Sequence, residues 1–133
     1  MTKRMTKGEL QESLGAFKPA GHAVLAFEND QVAAEARQAL LDAGIDEQDI
    51  LVFTSRELFP DLKEMMRNAS GASGFGYEIV LMRRYMTLAS EGAGWLVVYS
   101  PKEATTAKIA DVAQRLNAKT AVHYGDFMHE DLV

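Results

Sequence analysis

The sequence predicts an α+β protein with a single sheet, assembled from two strand-helix-strand units separated by a helical insertion. Three observations carry this reading. Short apolar runs of strand length recur in pairs, each pair flanking a segment with helical apolar spacing. The second unit repeats the layout of the first 73 residues later, Gly21 falling on Gly94. The roughly 40 residues between the halves carry helical patterning with a glycine-rich break.

Residues 22–27 (HAVLAF) form the first predicted strand. The period then changes: Asn29 or Asp30 can cap a helix over residues 30–43, with Val32, Ala36, Leu40 and Ala43 on one face and Gly44 in the left-handed position that follows a helix. Residues 50–54 (ILVFT) are the second strand. In the insertion, Thr54 and Glu57 spell a capping box and Pro60 can start a helical turn. Leu62, Met65 and Met66 give that helix an apolar edge. Gly71, Gly74 and Gly76 then form a flexible joint, because glycine adds backbone freedom. A further helix over residues 77–90 lines up Ile79, Met82, Met86 and Ala89 and ends at Gly92. The third strand covers residues 94–100. Ser100 with Glu103 reads as a capping box with Pro101 at the first helical position, and Ile109, Val112, Ala113 and Leu116 form the helix face. Residues 120–124 are the fourth strand.

Two such units in one four-stranded sheet give the ferredoxin-like arrangement, strand order 4-1-3-2, with two helices inserted between the halves. A small doubly wound parallel sheet is the alternative; the internal repeat favours the former. Residues 20–133 form one domain, and residues 1–19, which mix Lys3, Arg4 and Lys7 with Glu9 and Glu12, read as a mobile arm. Val24, Trp95, Val97 and Val122 make the second sheet face apolar too, so the inserted helices or a second subunit must cover it. The expectation is a homodimer through that face.

Composition narrows the function classes. The 133 residues are 47% hydrophobic and 25% charged, as in ordinary globular domains. With no cysteine there is no disulfide framework, thiolate metal site or cysteine nucleophile, and a reducing, cytoplasmic setting is expected. Fourteen basic against nineteen acidic residues give a net charge of −5, which disfavours nucleic acid and anionic membrane as partners. No uncharged stretch approaches the roughly 20 apolar residues of a membrane span. The basic start lacks the apolar core of a signal peptide, so none is expected.

The stretch VLAFENDQVAAEARQALLDAGIDEQDILVFT resembles the opening of bacterial general-stress and heat-induced-stress domains: an apolar strand, an acidic turn, an alanine-rich helix ending in Ala-Gly, and a second strand. The ending AKTAVHYGDFMHEDL is similar to the close of a related group of small bacterial proteins, matched here by Tyr124, Gly125, Phe127, Glu130 and Asp131. The resemblance implies a stress-associated α/β domain with no established reaction, and it transfers no catalytic residue.

The glycine segment reads GxxGxG, follows no strand and lacks a Lys-Ser or Lys-Thr, so it is no phosphate loop. Glu28, Asp30 and Glu103 at the other helix starts repel phosphate. Arg83 and Arg84 beside Tyr85, with Arg67 in the preceding helix, read as a solvated face. The chemistry-bearing residues gather at the strand ends. A fourth strand antiparallel to the first brings His123 towards His22, with His129, Asp126, Glu130 and Asp131 close in sequence. Nitrogen and oxygen ligands of this kind suit Zn, Ni, Mn or non-haem Fe, but no metal-ligand spacing matches, and no metal or cofactor is expected. Tyr99 and Tyr124 can frame a pocket. The expected function is a stress-associated, non-catalytic binding or interaction module acting through the apolar sheet face, with His22, Tyr99, His123, Tyr124 and Asp126 as candidate ligand-binding residues. The alternative is a small metal-dependent or acid-base enzyme using His22, His123, Tyr124 and Asp126.

Overall fold

The computed structural model describes Arg4 and residues 20–57, 76–125 and 129–133, with the backbone alone for 76–82 and 129. The expected arm over 1–19, the helix bearing Leu62, Met65 and Met66, the glycines Gly71 and Gly74, and Asp126 lie outside the described residues. Arg4 is described, and its guanidinium lies 3.1 Å from the Asp49 carboxylate.

The chain order is β1 (His22–Phe27), α1 (Asp30–Asp42), a 3-10 turn (Glu47–Asp49), β2 (Ile50–Phe53), α2 (Gly76–Ser90), β3 (Gly94–Tyr99), α3 (Glu103–Arg115), β4 (Thr120–Tyr124) and β5 (His129–Asp131). The local signals act as chemistry requires. Asn29 is extended, and its side chain accepts from the Val32 N–H at 2.9 Å, capping α1. Gly44 and Gly92 follow α1 and α2 at φ of 95° and 93°, where a side chain is strained. Thr54 and Glu57 form the expected reciprocal box: the Glu57 carboxylate accepts from the Thr54 N–H at 3.0 Å, and Thr54 Oγ1 accepts from the Glu57 N–H at 3.2 Å. The Ser100–Glu103 box does not form. Lys102 is extended, so Pro101 stands outside the helix and α3 starts at Glu103 with no side-chain cap.

The sheet is antiparallel and five-stranded, in the order β2-β3-β1-β4-β5, rather than four-stranded. Read from β4, the first four strands run 4-1-3-2. The fifth is the acidic tail folded back along β4, with Leu132 buried beside it and its N–H donated to the Ala121 carbonyl at 2.8 Å.

Side chains alternate across each strand. Ala23, Leu25, Phe27, Leu96, Val98 and Ala121 point to one face, where they pack on Ala33, Ala36 and Leu40 of α1 and Ile109, Val112 and Ala113 of α3. Val24, Ala26, Phe53, Trp95, Val97 and Val122 point to the other and pack on Tyr85, Leu88 and Ala89 of α2. Of the two covers the sequence allowed for this face, the inserted helices or a second subunit, the inserted helix α2 lies on it. Burying side chains of this size contributes roughly 1.5–3 kcal/mol each, which is why a helix with a modest apolar stripe holds its place there. Arg84 of α2, expected on a solvated face, donates to the Lys119 carbonyl at 2.6 Å and ties the helix to the approach of β4.

Candidate functional site

The register decides which of the candidate residues meet. His22 lies opposite Tyr99 on β3 and opposite Tyr124 on β4, and Tyr124 lies opposite His129 on β5. His22, Tyr99 and Tyr124 thus form one cross-strand row on the α2 face. His22 is 1% exposed, and because a carbonyl can only accept, its Nδ1 carries the hydrogen donated to Ala20 O at 3.0 Å. Its ring lies 5.1 Å from that of Tyr99. Tyr124 OH meets Tyr85 OH of α2 at 2.7 Å, and Tyr85 stacks edge-on against Trp95 at 5.3 Å. Trp95 Nε1 has no hydrogen-bond partner among the described residues. This row is a polar seam fastening α2 to the sheet.

His123 does not join it. It lies opposite Ala23 and Glu130, one residue out of step with His22, so it projects from the other face. The expected meeting of His22 and His123 fails for this reason. Among the described residues no group of three His, Asp or Glu is placed to hold a metal ion.

On the face of His123 lies a pocket of about 200 Å³ where β3 runs into α3. Ser100, Lys102, Glu103 and Thr106 line it from the β3–α3 junction, His123 from β4 and Glu130 from β5. Its floor is a fixed polar network. The Ser100 backbone N–H donates to Gly21 O at 2.7 Å. Its carbonyl accepts from His123 Nε2 at 2.8 Å, which puts a hydrogen on Nε2. Its hydroxyl meets Thr106 Oγ1 at 2.6 Å. Around this floor, Lys102, Glu103 and Glu130 form no ion pair among the described residues.

Of the candidates, His123 lines the pocket, while His22, Tyr99 and Tyr124 belong to the seam. Sequence reasoning missed Thr106, gave Ser100 and Glu103 capping duty, and placed Glu130 only by its closeness in sequence to His123, beyond the last predicted strand. The available signal was a pair of hydroxyl residues, Ser100 and Thr106, straddling a helix start that carries Lys102. Comparison with known protein families, with curated proteins and with solved structures found no match.

Proposed function

We propose that this chain is a non-catalytic binding module that takes a small polar molecule into the pocket at the β3–α3 junction. The observation that carries it is the pocket itself: the β3–α3 junction, β4 and β5 contribute polar side chains over a hydrogen-bonded floor, with Lys102, Glu103 and Glu130 at the rim in no ion pair among the described residues. The volume is below the roughly 300–1,000 Å³ of pockets for drug-sized ligands, which limits the occupant to a few heavy atoms. Binding moves from the apolar sheet face to this pocket because α2 occupies the face. The order 4-1-3-2 among the first four strands supports a ferredoxin-like core to which β5 is an addition. The stress association rests on the layout that residues 24–54 share with general-stress domains, and the cysteine-free composition suits a cytoplasmic setting.

The test is a screen of small polar metabolites by two-dimensional NMR of the full chain. Saturable shifts centred on Ser100, Thr106, His123 and Glu130, with the compound recovered unchanged, are expected. If no compound saturates these resonances the proposal fails, and chemical conversion of a bound compound would replace it with an acid-base enzyme using His123.

A further inference from the structure

We draw no further inference here: the strongest candidate, the outer edge of β2, an apolar border strand of the sheet on which Leu51 and Val52 are half-buried, carries nothing because nothing in the structure shows what covers it.

Discussion

Gly94, at the first residue of β3, shows how a single atom sets the spacing between layers. A Cβ placed there would lie 2.7 Å from Asn29 O and Asp30 Cα and 2.8 Å from Ala33 Cβ, all belonging to the start of α1. Two of these are backbone atoms that no side-chain rotation can move. Gly94→Ala should therefore push α1 off the sheet and lower stability by about 1–3 kcal/mol, the usual cost of overpacking, read from urea unfolding. Gly92→Ala meets nothing within 4 Å, and its smaller cost comes from φ of 93° alone. The buried tyrosine pair makes a second residue-scale case. Tyr85→Phe and Tyr124→Phe each remove the bond between the two hydroxyls, at about 0.5–1.5 kcal/mol, while the double variant loses that one bond only once and should cost less than the two singles added together. At this scale the sequence was most readable where the interaction is local. Asn29 and the Thr54–Glu57 box bind backbone groups three residues away, so spacing alone identifies them. Ser100 spends its hydroxyl six residues on, past an extended Lys102, and nothing in the S-x-x-E pattern distinguishes that from a cap.

Among the elements, β5 is the one that lies beyond the last strand the sequence predicts. Its three residues, His-Glu-Asp, carry no apolar alternation and no β-branched residue, so neither period nor propensity marks a strand. Tertiary anchoring makes it one. Leu132 is buried against the α1–α3 face, its N–H is held by Ala121 O, and its carbonyl accepts from Gln114 Nε2 at 3.2 Å. The strand in turn delivers Glu130 to the pocket, which explains why the site was only partly legible: His123 is visible as a histidine near a strand end, but its neighbour depends on a fold-back with no local signature. Leu132→Ala should cost about 2–3 kcal/mol through the lost apolar contact and the space it leaves. Hydrogen exchange of the full chain should locate the damage. Faster exchange at residues 129–132 with protection kept in β1 and β3 is the expected pattern; uniform loss across the sheet would show that β5 is integral to the core instead of an anchored addition.

At the scale of the whole molecule, a helix pair lies on one face of the sheet and α2 on the other, so every residue of β1 is buried in a single chain. An antiparallel sheet with one solvated face would alternate polar and apolar residues along its central strand; HAVLAF does not. The sequence therefore demanded a second cover without naming it, since an apolar face reads the same whether a helix of the same chain or a second copy lies on it. The structure supplies the cover with Tyr85, Leu88 and Ala89, fixed at one point by the tyrosine pair and at another by Arg84 on Lys119 O. A dimer through this face would have to displace that helix, exposing its buried residues and opening the bond between Tyr85 and Tyr124. Light scattering across the micromolar range should accordingly give the mass of one chain. A doubled mass would mean that a second copy takes the place of α2, and the distinguishing measurement is Tyr85→Ala. If α2 is the cover, the variant loses stability and begins to associate as its sheet face becomes exposed. If a second copy is the cover, the oligomeric mass is unaffected by a residue the dimer has already set aside.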